Sequence, residues 1–349
     1  MAPDAIALAQ DLVRAGADAS CKAAVEIVKA RCKRWRVVEG EGFVWVQASQ
    51  RAGLVLSGHV DVVPAGQGWT RAPFSGDLAD GDVWGRGACD MKGAIAAMLT
   101  AAEEVGDGDW ALALTLDEET GMGGARNLAR AGALEGADLV VVGEPTDLDL
   151  GVAHRGVLWV ELETKGKAAH GSRPQEGENA ITKMVRLLQS VEGFALPEKH
   201  ALVGGSSLNL GVLRGGEAVN MVPPSCTAQL DLRVPPPAST AGARKGLEAA
   251  LAKGGIPHGL RILSEHAPFE TRPSPLIDRV RHALREAHPG ATDIGLPYGT
   301  EASVYQAFAP CVVTGPGELA RMHALDERVS IAQVRAATRF YRSLLEAWA

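Results

Sequence analysis

Acids and histidines recur in this chain at points where short apolar runs stop. His59 and Asp61, in Ser57-Gly58-His59-Val60-Asp61, stand two apart after Leu54-Val55-Leu56, which puts both on one side of an extended segment. A metal-binding histidine needs its second ring nitrogen held by an acceptor, and Asp61 can supply one; a histidine satisfied inside a core fits the same residues. Asp90 follows the glycine-rich turn Gly85-Arg86-Gly87-Ala88-Cys89 just ahead of a helical pattern, as a ligand or as a helix N-cap. The run Ala111 to Leu116 ends in Asp117-Glu118-Glu119. Neighbouring side chains at a strand end diverge, so one carboxylate can bind metal while the next carries a proton; a solvated acidic turn is the other reading. Glu144 lies in Gly143-Glu144-Pro145-Thr146, and His323 in His323-Ala324-Leu325-Asp326-Glu327 after Gly315-Pro316-Gly317. With His59, Asp90 and Glu119 they make two histidines and three carboxylates. That donor set suits a pair of divalent metal ions with one carboxylate able to bridge, and the chemistry it serves is hydrolysis. The glycines Gly121, Gly123 and Gly124 miss the spacing of a dinucleotide-binding turn, and three acids at their mouth would repel phosphate.

The elements that must position these residues follow from the hydrophobic pattern. In the first half, short β-type runs (Leu54-Val55-Leu56, Ala111 to Leu116, Leu139-Val140-Val141-Val142) alternate with helical patterns such as Met91 to Val105, the texture of an α/β domain around a buried sheet. Strand ends in such a sheet gather in one crevice, which lets residues far apart in sequence meet. After His154-Arg155-Gly156 the strands alternate in and out, at Val157 to Thr164, Ser207 to Leu213 and Thr227 to Val234, with helices over Glu178 to Val191 and Ser239 to Lys253. Pro235-Pro236-Pro237 reads as a loop between strand and helix. The buried texture returns from Pro273, with a helix through His282, a strand at Cys311-Val312-Val313 and a last helix opened by Ser330. The expected organisation is an α/β fold in which residues 1–155 and 267–349 form one mixed-sheet domain and residues 156–266 form an inserted α+β domain.

At 349 residues the chain is long enough for two domains, and 46% hydrophobic with 22% charged residues excludes general disorder. No apolar run approaches the roughly 18 residues of a membrane span. A net charge of −7, from 35 basic and 42 acidic residues, leaves no basic footprint for nucleic acid or an anionic membrane, and neither partner is expected. Cys21, Cys32, Cys89, Cys226 and Cys311 are scattered without CxxC spacing, which indicates neither a disulfide framework nor a thiolate zinc site and fits a reducing cytosol. Met1-Ala2-Pro3-Asp4 leads directly into an amphipathic helical pattern with Asp4 as N-cap, with no charged-then-apolar leader, so a cytoplasmic protein is expected.

Together these segments, in order from residue 54 to residue 330, resemble the co-catalytic zinc amidohydrolases, the family of acetylornithine deacetylase, succinyl-diaminopimelate desuccinylase, carboxypeptidase G and the aminoacylases. The resemblance implies a dinuclear centre, zinc by default with cobalt or manganese acceptable to the same ligands. His59 and Glu144 would hold one ion and Glu119 and His323 the other, with Asp90 bridging and the peptide bond after Asp90 cis. Asp61 would orient His59, and Glu118 would be the general base that takes a proton from the attacking water and returns it to the leaving amine. The inserted domain would be a lid and homodimerisation domain. In Gly166-Lys167-Ala168-Ala169-His170-Gly171, His170 would reach into the partner subunit's site as an oxyanion donor; a plain surface residue is the alternative. Asn220, in Val219-Asn220-Met221-Val222-Pro223, and Arg233, in Asp231-Leu232-Arg233, would hold the substrate's carboxylate, a role that suits arginine's planar fork; a turn residue and an exposed strand residue are their plainer readings.

Tyr298-Gly299-Thr300-Glu301-Ala302 looks more like the deacetylase than the desuccinylase, whose corresponding loop tends to carry Ser-Asp. Ala324-Leu325 departs from that pattern, since deacetylases more often carry Gln-Pro there. Thr300 and Glu301 are then substrate-binding candidates, with Glu301 facing the cationic side chain of an ornithine-like substrate. The expected reaction is hydrolysis of the amide bond of a small N-acyl amino acid, N-acetylornithine first. A desuccinylase, another deacylase, a dipeptidase or a carboxypeptidase is the alternative within the family. Outside it stand a metal-free binding protein, which would not need the intact ligand set and Glu118, and a dinuclear phosphoester hydrolase, which would gain little from Arg233. His154, His200, His258, His266, His282 and His288 match no motif, and Cys89 is expected to pack away from the metals.

Overall fold

The computed structural model describes residues 4–16 and 20–349, so Met1, Ala2 and Pro3 of the expected N-terminal run lie outside the described residues. Asp4 caps the helix Ala5–Ala15, its carboxylate accepting from the Ile6 amide at 2.9 Å. The chain forms two compact units. One takes the residues up to Val152 with Thr271–Ile294 and Thr300–Ala349; the other takes Ala153–Glu270 and Gly295–Gly299.

The first unit is built on a mixed sheet whose central strands are apolar on both faces. Leu54–His59, Trp110–Thr115 and Leu139–Val142 are buried at every residue, the pattern of parallel strands covered by helices on both sides. Leu54–His59 runs parallel to both of its neighbours, with His59 opposite Thr115 and Ser57 opposite Val142. Cys311–Val313 adds a parallel strand beside Leu139–Val142, and the hairpin of Arg36–Gly40 with Phe43–Gln47 extends the sheet antiparallel to Trp110–Thr115. Because these four central strands point the same way, their C-terminal ends open together. A Cβ on Gly315 would lie 2.1 Å from the Gly143 carbonyl oxygen, so two of these strand ends touch through backbone alone.

The helix Gly93–Val105 is buried from Gly93 through Ala102 and packs against Ala5–Ala15 and Ile331–Glu346, with Leu12, Ile95, Leu99, Phe340 and Leu344 in one core. It begins two residues later than the pattern from Met91 suggests. Before it, Ala88–Lys92 form a wide turn in which Asp90 and Met91 leave helical dihedrals and the peptide bond between them is cis. Gly124 serves packing: its amide donates to Asp117 at 2.7 Å, and a Cβ there would sit 2.0 Å from the Gly42 carbonyl oxygen.

The second unit is a four-stranded antiparallel sheet in the order Ser207–Gly215, Ser225–Val234, Gly156–Lys165, Gly259–His266. Period-two alternation sends Leu158, Val160, Leu162, Ala228, Leu230 and Leu232 into one core with Met184 and Leu187 of Ala180–Gln189 and with Leu247 and Leu251 of Thr240–Lys253. Asn179 and Ser239 cap these two helices through the Thr182 and Gly242 amides, at 2.9 and 3.1 Å. Ser207–Gly215 is an edge strand, and Leu210 and Leu213 on it are 44% and 47% exposed.

Candidate metal centre

At the C-terminal ends of the parallel strands, His59, Asp61, Asp90, Glu118, Glu119, Glu144 and His323 converge within the first unit. His59 ends its strand with Nε2 at 3.0 Å from Asp90 Oδ1 and 3.6 Å from Glu144 Oε1. His323 Nε2 stands 3.3 Å from Asp90 Oδ2 and 3.1 Å from Glu119 Oε1. Asp90 therefore presents one carboxylate oxygen to each histidine. Donor atoms of His59, Asp90 and Glu119 lie within 4.8 Å of one another, as do those of His59, Glu118 and Glu144. His59, Asp90 and Glu144 are buried, and His323 is 49% exposed and forms the open side.

Each side chain is held by the local fold. Asp90 caps no helix, since the N-cap position of Gly93–Val105 is Lys92; the turn of Ala88–Lys92 aims Asp90 at the two histidines instead. The Gly143 amide donates to the Ser57 carbonyl at 2.9 Å, which brings Glu144 alongside His59. The Asp61 carboxylate does double duty. Its Oδ1 is 3.5 Å from His59 Nδ1, whose closest acceptor is the Asp61 carbonyl at 3.0 Å. The same carboxylate accepts the amides of Glu118 at 3.3 Å and Glu119 at 3.1 Å. This second function depends on the register of Leu54–His59 against Trp110–Thr115, and no pattern in the sequence announces it.

The charges call for cations. Asp61, Asp90, Glu118, Glu119 and Glu144 share a small space, and among the described residues no lysine or arginine pairs with any of them. Burial, opposed by His59 but reinforced by the charges of Glu301, Asp90 and Glu119, pushes Glu118 well above the ordinary carboxylate range. Burial and the charge of Asp90 do the same to Glu144. Burial works against a charged His59, yet the Glu144 charge and the bonds to Asp61 and Asp90 outweigh it and hold the ring well above its usual value. Hydrogen bonds to Asp90 and Glu119 raise His323 to about 10. Left to its own side chains, the cluster balances its charge by keeping protons on glutamates and histidines. Divalent ions would replace those protons, and the oxygen and imidazole donors, with no thiolate among them, fit zinc, cobalt or manganese.

The remaining residues singled out from sequence are placed as follows in their own units. Thr300 is fully buried, and Glu301 is 1% exposed with Oε2 accepting from Ser57 at 3.1 Å and Tyr305 at 3.2 Å. Burial raises its carboxyl above the usual range. His170, Asn220 and Arg233 belong to the second unit. There the Gly171 amide donates to the Asn220 carbonyl at 2.7 Å, His170 is exposed with Nδ1 at 2.8 Å from Ser172 Oγ, and Arg233 Nε pairs with Asp231 at 2.9 Å. Cys89 packs fully buried, with Sγ at 3.5 Å from the Glu318 carbonyl. Arg86 and Glu327 had no role in the sequence reading, although each sits inside a motif that carries a ligand; both are buried beside the centre.

The sequence profile described as Peptidase family M20/M25/M40 matches residues 55–347. Succinyl-diaminopimelate desuccinylase of Caulobacter sp. (strain K31) is 30% identical over 98% of this chain and 95% of its own length. Acetylornithine deacetylase of Proteus mirabilis (strain HI4320) is 30% identical over 85% of this chain and 80% of its own. Among solved structures, the M20 family metallo-carboxypeptidase Sso-CP2 from Sulfolobus solfataricus shares the fold, with a TM-score of 0.79 at 18% identity over 99% of both chains. Among the described residues, no helix is long and apolar enough to cross a membrane.

Proposed function

The chain belongs to peptidase family M20/M25/M40 and is a metal-dependent amidohydrolase; we propose that it removes the acyl group from a small N-acyl amino acid, N-acetylornithine first among the candidates, at a centre of two divalent ions. The observation that carries this reading is the split of Asp90, with Oδ1 toward His59, which also meets Glu144, and Oδ2 toward His323, which also meets Glu119. One ion would be held by His59, Asp90 and Glu144, the other by His323, Asp90 and Glu119. Bound there, the ions would supply Lewis-acid polarisation of the amide carbonyl and lower the pKa of water.

The chain's own residues do the rest. Glu118 takes a proton from the attacking water and delivers it to the leaving amine, and a carboxyl raised by burial is suited to carrying that proton. Asp61 holds the His59 ring and the Glu118-Glu119 backbone in register with each other. The Ser172 amide donates to His170 Nδ1 at 3.2 Å, which leaves Nε2 of the neutral ring as a donor, the form an oxyanion partner needs. Asn220 and Arg233 bind the substrate's carboxylate in this reading, and Thr300 and Glu301 are its substrate-side candidates. His170 acts across a homodimer formed by the second unit. The edge strand Ser207–Gly215, with exposed Leu210 and Leu213, and the exposed Val185 of the adjoining helix support that interface. Five buried thiols without a disulfide suit a reducing cytoplasm.

Desuccinylation is the second reading, favoured by the end-to-end match to the Caulobacter desuccinylase. Amine release from N-acetylornithine, N-succinyl-diaminopimelate, N-acetylcitrulline, other acetyl amino acids and simple dipeptides, with zinc or cobalt added, separates the two. Preference for N-acetylornithine supports the first reading and preference for the succinyl substrate the second. Silence across the panel with metal bound overturns both.

A further inference from the structure

A small three-stranded sheet brings two ligand-bearing loops together. Arg328–Ser330 pairs antiparallel with Asp82–Trp84, Arg328 opposite Trp84. Glu327 therefore arrives beside Gly85, whose amide donates to the Glu327 carbonyl at 2.8 Å. From Gly85 the chain runs directly to Asp90, and Glu327 itself closes the segment that begins at His323. The pairing of two short strands thus sets Asp90 and His323 on a common frame.

The Glu327 side chain, buried almost completely, lies between the loops. Its Oε1 accepts from two successive amides, those of Cys89 and Asp90, at 3.0 Å each. Its Oε2 meets Arg86 Nη1 at 2.5 Å. Arg86 is fixed in turn, with its guanidinium 5.2 Å from the Trp69 ring centroid and Nη2 3.4 Å from the His323 carbonyl oxygen. A buried ion pair is a poor source of stability, because the loss of hydration at both charges offsets their attraction. It is a good way to hold backbone in place, and here the pair bonds the amides of Cys89 and Asp90 and the carbonyl of His323, with the Gly87 amide also on the carboxylate. Asp90 must aim one oxygen at each histidine, and a site of this kind tolerates about 0.5 Å of misplacement.

We propose that Glu327 is a positioning residue of the centre: its carboxylate, held by Arg86, accepts the Cys89 and Asp90 amides and fixes the backbone from which Asp90 faces both ligand sets. The inference rests on the reading of Asp90 as a metal ligand and adds to it a residue that touches neither metal nor substrate.

Removing Glu327 alone would strand a buried arginine and risk unfolding, so the test removes both charges together. In Arg86→Met with Glu327→Gln, the glutamine carbonyl still accepts the two amides. In Arg86→Met with Glu327→Met, nothing does. Zinc affinity is measured on chelator-stripped proteins by competition with a coloured chelator. The glutamine double variant is expected to bind zinc within about threefold of wild type, and the methionine double variant about 10- to 100-fold more weakly, the usual effect of losing a group that orients a ligand. Equal affinities in the two variants, whether at the wild-type level or below it, overturn the proposal. On the wild-type protein, the Cys89 and Asp90 amides should stay protected from hydrogen exchange after zinc is stripped, since Glu327 holds them; exchange as fast as that of free amides also overturns it. A wild-type protein that binds no zinc would sink the metal-centre reading itself, and with it this inference, whereas normal wild-type binding with indistinguishable variants sinks the Glu327 role alone.

Discussion

Replacing Asp61 by asparagine tests how the centre is assembled, because a single carboxylate serves two strand ends. Oδ1 stands 3.5 Å from His59 Nδ1 and accepts the Glu118 amide at 3.3 Å, while Oδ2 accepts the Glu119 amide at 3.1 Å. Asparagine keeps the size and one acceptor oxygen but replaces the other with an amino group. Whichever way the side chain turns, one backbone amide then faces a donor. A buried donor left without its bond costs about 1–3 kcal/mol. Losing the charge beside His59 also weakens the ring as a ligand, and removal of such an orienting carboxylate typically costs about 10- to 100-fold in metal affinity. At about 1.4 kcal/mol per factor of ten, that is about 1.4–2.8 kcal/mol, the same range reached from the hydrogen bond. Asp61 is 12% exposed, so solvent does little to soften either effect. The expected outcome for Asp61→Asn is zinc binding weakened about 10- to 100-fold at one of the two sites, measured by chelator competition, with turnover falling in parallel at limiting zinc. Affinity and turnover both within about twofold of wild type would mean that Asp61 does not assemble the centre, since a carboxylate with these three contacts cannot be removed at so small a cost.

Glu118→Gln should leave zinc stoichiometry unchanged and lower kcat by about 100- to 10,000-fold, and an unchanged kcat would take Glu118 out of proton transfer. All five cysteines are buried, and burial reinforced by the Glu103 charge pushes the Cys32 thiol up to about 12, so the native protein should take up little maleimide at neutral pH and five equivalents after denaturation. Fast labelling of the native protein would contradict the packing described for these thiols. If the proposed homodimer forms through the exposed edge strand, Leu210→Lys with Leu213→Lys should yield a monomer in sedimentation and lower activity about 100- to 1000-fold through loss of the proposed oxyanion donor. A dimer that persists would place the interface elsewhere.

Much of the candidate centre's convergence was legible because acids and histidines that follow apolar runs mark the ends of buried strands. His59, Glu119 and Glu144 each follow such a run, and the parallel arrangement of Leu54–His59, Trp110–Thr115 and Leu139–Val142 gathers them. What could not be read depends on register and on backbone detours. The hairpin of Arg36–Gly40 with Phe43–Gln47 left too short a signal, and the contact of Asp61 with the Glu118 and Glu119 amides exists only because His59 pairs opposite Thr115. Asp90 looks like an N-cap by position; the wide turn of Ala88–Lys92, which hydrophobic periodicity cannot reveal, swings it to the histidines. Glu301 shows the reverse difficulty. Its neighbours suggest a loop open to substrate, yet it is buried, with Ser57 and Tyr305 donating to its carboxylate.

The claim on which everything else depends is that amide hydrolysis runs on metal held by His59, Asp90, Glu119, Glu144 and His323. The most direct measurement takes the best substrate of the acyl-amino-acid panel, strips the enzyme with a chelator, and follows amine release as zinc is returned. Hydrolysis on two ions requires no turnover in the stripped protein and recovery that levels off at two zinc ions per chain. Full turnover by the stripped protein, or recovery that needs no zinc, would contradict it.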